Sequence, residues 1–149
     1  MRIVDTVGAV LSHKGSKVWT IHSDATVFEA IRLMAEKNIG ALLVTEGGRL
    51  EGVFSERDYT RKVALLGRSS KDTLVSEVIT DRVIAATPHD TIEACMRLMT
   101  ENRIRHLPVL EGENVVGIVS IGDLVNWVIS AQAVAIGQLE SYITGSYPG

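Results

Sequence analysis

IRLMAEKNIGALLVTEGGRLEGVFSERD, residues 31–58, is written again 65 positions later as MRLMTENRIRHLPVLEGENVVGIVSIGD, residues 96–123. Arg32-Leu33-Met34 falls on Arg97-Leu98-Met99, Ile39 on Ile104, Val44 on Val109, and Gly52, Ser55 and Asp58 on Gly117, Ser120 and Asp123. The match widens without a gap to 17–63 over 82–128, and fifteen of its 47 pairs are identical, which marks an internal duplication. Solenoids also repeat at such periods, but they need three or more copies. Two copies predict a pair of units burying a face against each other around a pseudo-two-fold axis, with two related clefts.

Each copy carries the same order of patterns. In the first, Val18 to Ile21 is extended, and Ala25 to Asn38 has helical spacing with Val27, Ile31, Met34 and Ala35 on one stripe. Two short apolar runs around Glu46-Gly47-Gly48-Arg49 make a hairpin, and Ser55 opens a further helix to about Leu65. In the second, Val83 to Ala86 is extended, Thr91 to Asn102 helical, and the hairpin turns at Glu111-Gly112-Glu113-Asn114. Asp90 and Glu93 have the spacing of a capping box for that helix. Each unit is therefore β-α-β-β-α, and the fold class is α+β with two three-stranded sheets. The chain divides into a leading helix (1–17), a first unit (18–66), a linker (67–81) with a helical turn in Thr73 to Ile79, a second unit (82–130) and a tail helix (131–149). The tail stripe of Ala133, Ile136, Leu139 and Ile143 has no counterpart in the first copy; it fits packing on its own unit or a dimer contact equally well.

Outward again, composition narrows the function classes. With 46% hydrophobic and 22% charged residues the chain can bury a core, and its net charge of −3 gives no electrostatic grip on nucleic acid. The single Cys95 rules out an internal disulfide and lies on an apolar helical face, as a packing residue does. No apolar run approaches the ~18 residues of a membrane span, and Asp5 with the short run from Val7 to Leu11 makes a poor signal peptide. A reduced, cytoplasmic setting is expected.

The motif that could carry chemistry is Gly-x-x-Ser-x-x-Asp, at Gly52-Ser55-Asp58 and Gly117-Ser120-Asp123, where a strand gives way to a helix. Ser-x-x-Asp there is a capping box, and capping alone would justify both residues at ~1 kcal/mol each. The same corner offers free backbone N–H groups and the positive end of a helix dipole to a phosphate, with a carboxylate one turn in for ribose hydroxyls. Both readings stand on the motif alone. No Gly-x-x-x-x-Gly-Lys or Gly-x-Gly-x-x-Gly loop is present. His13, His22, His89 and His106 lack metal-ligand spacing, and no acid–base or nucleophile set assembles without borrowing the caps, so neither enzyme nor catalytic cofactor is expected. Trp19 fits packing better than a place beside a base.

The ordered set, present twice, resembles the cystathionine-β-synthase (CBS) domain family in tandem, over about Val18 to Val128, as in small stand-alone bacterial members. The resemblance implies paired domains, commonly dimeric, that bind AMP, ATP, NAD(H) or S-adenosylmethionine between them. It implies that Asp58 and Asp123 hold ribose and that Ser55 and Ser120 contact ribose or phosphate. Thr20-Ile21-His22 and, in the second copy, Ala86 and Thr87 would line the base, with Ala41 and His106 at the strand starts. For phosphate the copies diverge. The first has Arg57 and Arg61, four apart and otherwise a solvated face; the second has Arg105 and His106 where the first has Gly40 and Ala41. The function expected is non-catalytic sensing of an adenine nucleotide, with an effector protein acting in trans. A structural or stress-linked interaction protein is the first alternative and a nucleic-acid binder the second.

Overall fold

The computed structural model of the chain describes residues 5–15, 17–79 and 83–144, and in the last helix the side chains up to 132 together with 136 and 137. Helix α1 (Val7–Lys14) leads into β1 (Thr20–His22), α2 (Val27–Lys37), the hairpin β2 (Ala41–Glu46) and β3 (Arg49–Ser55), and α3 (Glu56–Tyr59). A π-helical turn (Thr60–Ala64) continues α3, and a 3₁₀ turn (Val75–Glu77) lies between the units. The second unit holds α4 (Ile92–Asn102), β4 (His106–Glu111), β5 (Asn114–Ser120) and α5 (Ile121–Thr144).

The two copies start and stop their first helices alike. Thr26 Oγ1 accepts the Glu29 N–H, and Thr91 Oγ1 accepts the Ala94 N–H, each at 3.1 Å. Asn38 and Arg103 end the helices in the left-handed region. The cap of α4 is thus Thr91, and the capping box expected from Asp90 and Glu93 does not form. Asp90 Oδ2 instead accepts the Thr87 N–H at 2.8 Å, closing the turn before the helix.

In the first sheet β1 runs parallel to β2, which is antiparallel to β3. Among the described residues the second sheet has only β4 and β5, and the expected extended stretch of Val83 to Ala86 contributes one bridge, Ala86 to Val109. A proline explains the difference. Leu43 N–H donates to the Trp19 carbonyl at 3.1 Å and holds β1 to β2, whereas the aligned residue is Pro108, which has no N–H to give. The helices diverge too: the first unit's last helix stops at Gly67, φ +68°, and the aligned Gln132 provides no such stop. The expected tail helix is therefore the unbroken continuation of α5. Ala133, Leu139 and Ile143 of the expected stripe lie outside the described side chains; Ile136 is exposed.

The cores are built by exchange. Val7, Val10 and Leu11 of α1 are buried with Ile92, Met99, Leu107 and Leu124 of the second unit. Val75 and Val78, from the segment before the second unit, are buried with Val27, Leu42 and Phe54 of the first. Main-chain bonds repeat the exchange. Val7 N–H donates to Asp90 O (2.8 Å) and Ile92 N–H to Asp5 O (2.9 Å), as Val27 N–H does to Thr73 O (2.8 Å) and Val75 N–H to Ala25 O (2.9 Å). Each unit is sealed by the stretch that precedes the other, as a pseudo-two-fold arrangement requires. Gly8 allows α1 to sit this close, since a Cβ there would lie 2.8 Å from the Pro88 carbonyl oxygen.

Candidate functional site

Both Gly-x-x-Ser-x-x-Asp corners fold as capping boxes. Ser55 ends β3 in extended conformation; its N–H donates to Asp58 Oδ2 at 2.9 Å, and its hydroxyl accepts the Asp58 N–H at 3.2 Å. Ser120 N–H donates to Asp123 Oδ2 at 2.8 Å, and Asp123 N–H to the Ser120 hydroxyl at 3.1 Å. In each corner the capping bonds fall on Oδ2 alone.

A lysine completes each corner, and the two come from different places. Lys62, one turn along from Asp58, lies 3.5 Å from its Oδ1 and donates to the Val78 carbonyl at 3.0 Å. Lys14, at the end of α1, donates to Asp123 Oδ2 at 2.6 Å and to the Ile118 carbonyl at 3.0 Å. Asp123 Oδ1 has no partner among the described residues. Burial works against this carboxylate, but the bond from Lys14, those from Ser120 and the nearby ammonium charge outweigh it, so its pKa stands below the ordinary 3.8. Lys62 was legible as an i,i+4 neighbour of Asp58. Nothing in the sequence pointed to Lys14, which is 109 residues from Asp123.

The corners meet at a seam between the units. The strand starts carry it: Ala41 pairs with Ser55 and His106 with Ser120. His106 Nε2 lies 3.5 Å from where a Cβ on Gly40 would stand, so its imidazole crosses from the second unit to the first. Burial lowers its pKa from 6.5, and Lys14 adds to this; Asp123, Glu56 and Asp58 pull upward without overcoming it. The seam thus brings both aspartates, both serines, Ala41 and His106 into one neighbourhood. Since folding favours the neutral imidazole, its contribution is complete above pH 6.5 and is lost as pH falls through the lowered value. The chain should lose stability as pH falls below 6.5, and His106→Gln should flatten that limb; urea midpoints across the acid range check it.

The other expected residues are placed less tightly. Thr20, Ile21 and His22 form β1 against Leu43, Val44 and Thr45, with no hydrogen bond to either corner among the described residues. His22 is engaged locally, accepting the Asp24 N–H at Nδ1 (3.1 Å). Ala86 is buried under Val109, and Thr87 is exposed. Arg57 and Arg61 straddle the junction of α3 and the π turn, and neither they nor Arg105 makes an ion pair among the described residues. Trp19 is a packing residue: it lies against the first core with the Lys17 and Lys37 ammonium groups 4.6 and 4.4 Å from its ring.

A cavity of about 450 Å³ opens on the other side of Asp123, between α1 and α5. Trp127 forms one wall, its indole N–H held by Asp5 Oδ2 at 2.9 Å and its ring edge-on to His13 at 5.9 Å. The sequence placed the ligand clefts between the units and did not single out this space. Among the described residues no cluster of His, Cys, Asp and Glu could hold a metal ion, and no helix is long and apolar enough to cross a membrane.

Comparison with known proteins bears on what such a site serves. A family model described as CBS domain matches residues 7–65 and 75–130, and each stretch opens on one of the exchanged segments. A mitochondrial CBS domain-containing protein of Arabidopsis thaliana is 41% identical over 91% of this chain and 68% of its own length. Among solved structures, a CBS-domain protein of Burkholderia ambifaria provisionally assigned to signal transduction is 48% identical, with a TM-score of 0.81 over 85% of this chain and 96% of that one. A hexameric CBS-CP12 protein from bloom-forming cyanobacteria is 30% identical, with a TM-score of 0.75 over 83% and 68% of the two chains.

Proposed function

The chain belongs to the CBS-domain family, carrying the domain twice, and on that footing we propose that it is a regulatory module sensing an adenosine-containing ligand such as AMP, ATP or NAD(H) without catalysing its conversion. The observation that carries this reading is the pair of intact Ser–Asp corners meeting at a seam with His106 between them. Each corner keeps an oxygen, Oδ1, outside its capping bonds, so a cap and a ribose acceptor are compatible in one carboxylate. Arg105, with the His106 imidazole beside it as a hydrogen-bonding group, at the second strand start, and Arg57 and Arg61 beside the first corner, supply phosphate-binding groups of unlike kind. The two sites should therefore differ in affinity.

The non-catalytic part of the reading rests on what the reactive groups are doing. Ser55 and Ser120 are engaged in caps, and burial pushes the Cys95 thiol up to about 11, leaving it protonated at neutral pH. A ligand that favours one arrangement of the units shifts the population toward it, and a partner protein in trans would read that shift. The negative net charge argues against nucleic acid as that partner. A cytoplasmic setting is carried over from the sequence.

Thermal unfolding with AMP, ADP, ATP, NAD(H) and S-adenosylmethionine tests the proposal. A ligand at 100 times its dissociation constant adds ~2.7 kcal/mol, which should raise Tm by about 5–10 °C. No shift with any of them would return the chain to the interaction-protein reading.

We also propose a homodimer, because α5 presents an outer apolar stripe of Val125, Ile129 and Ile136, with Ile129 58% and Ile136 56% exposed. Light scattering should give twice the chain mass of 16.2 kDa; a monomer would refute the dimer, and a larger mass would place the chain with the hexameric relative.

A further inference from the structure

We propose that Lys14 is a positioning residue of the second site, fixing the Asp123 carboxylate for ribose, and that through it occupancy of that corner is coupled to the seating of α1. This rests on the reading of Asp123 as a ribose acceptor. It adds to the site a residue from outside both repeats.

The geometry at the corner comes first. Asp123 Oδ2 accepts the Ser120 N–H at 2.8 Å and the Lys14 ammonium at 2.6 Å, which leaves Oδ1 without a partner among the described residues. The ammonium is anchored in turn, because it also donates to the Ile118 carbonyl of β5 at 3.0 Å. A carboxylate held from two directions at one oxygen presents the other in a set orientation, so less ordering remains for the binding step. Lys14 also offsets the charge of Asp123, which would otherwise repel the phosphate of a nucleotide. The two side chains are 34% and 28% exposed, so water screens the pair less than it would a surface pair. Burial raises the Asp123 pKa, and the bond from Lys14 is the largest of the effects that bring it below 3.8.

A second contact ties the same helix to the same motif. Leu11, one turn before Lys14, packs on Gly117, where a Cβ would lie 2.6 Å from Leu11 Cδ2. Helix α1 thus rests on the glycine of Gly-x-x-Ser-x-x-Asp and reaches its aspartate. The first corner is built differently. Its lysine, Lys62, comes from the unit's own helix and stands 3.5 Å from Asp58. A ligand on Asp123 therefore tightens α1, and an opening of α1 loosens the ligand by the same factor.

Hydrogen exchange on the unaltered chain reads this without a variant: saturating AMP should slow exchange across Val7–Lys14. Lys14→Met keeps the aliphatic stem and removes the ammonium. By calorimetry it should weaken AMP by roughly 5- to 150-fold, the usual span of such couplings. Lys14→Arg should restore most of that loss. In an Asp123→Asn background Lys14→Met should cost little more, since the two act as one unit. AMP binding that leaves α1 exchange unchanged overturns the coupling. Full affinity in Lys14→Met, or an equal loss with Asp123→Asn already present, overturns the positioning role; both results leave the sensor standing. Absence of AMP binding to the unaltered chain, by calorimetry and thermal shift alike, overturns the proposal and the sensor together.

Discussion

A chain lacking residues 1–14 should keep its first hydrophobic core and lose its second. Val7, Val10 and Leu11 are 0%, 3% and 7% exposed among residues of the second unit, although they precede the first in the chain. Burying such side chains contributes about 1.5–3 kcal/mol each. Together they supply about 5–9 kcal/mol, comparable with the whole stability of an ordinary domain at about 5–15 kcal/mol. The truncation also removes the main-chain bonds of Asp5 and Val7 to Ile92 and Asp90. Hydrogen exchange should show protection persisting in α2, β2 and β3 and collapsing in α4, β4 and β5. Equal loss in both units would mean that the cores are not separable, and no loss would mean that α1 is dispensable.

The second large effect concerns binding. Asp58→Ala and Asp123→Ala should each cost about 1 kcal/mol of stability through the lost cap. If the carboxylates hold ribose, affinity should also fall about 10- to 150-fold, the equivalent of roughly 1.5–3 kcal/mol in charge-assisted hydrogen bonds. Asparagine separates the two roles, since it caps nearly as well but carries no charge. Asp123→Asn keeps the cap but weakens the Lys14 bond, so it should restore part of the stability and little of the affinity. The effect should be larger at Asp123, whose Oδ1 has no partner among the described residues, than at Asp58, whose Oδ1 already faces Lys62 at 3.5 Å. Calorimetric titration of both pairs of variants decides it; asparagine variants that bind as the wild type does would reduce the aspartates to caps.

What the sequence made legible was local or periodic. The offset of 65 placed both Ser–Asp corners at once, because a capping box is closed within four residues and depends on nothing remote. Thr91 as the cap of α4 was equally available from its alignment with Thr26, but the Asp90–Glu93 spacing obscured it. Pro108 could have foretold the short second sheet, since the missing N–H lies opposite the position where Leu43 donates. Through-space pairings were not legible. Val7 beside Asp90 and Lys14 on Asp123 join segments far apart in the chain, and no pattern in either segment names the other. The α1–α5 cavity belongs to that class: Trp127 could be read as a helix residue, but not as the wall of a space roofed by α1.

The exchange of sealing segments also has a consequence during synthesis. The first core is complete once Val78 has been made. Helix α1 has no bed until Leu124 emerges, more than a hundred residues after Leu11. At about 5–20 residues per second that interval is roughly 5–25 s, during which the apolar face of α1 stands open on the ribosome. The nascent chain therefore passes through a half-finished state with a greasy amino-terminal helix. It should engage holdase chaperones in that window, or seal another copy's second unit in place of its own.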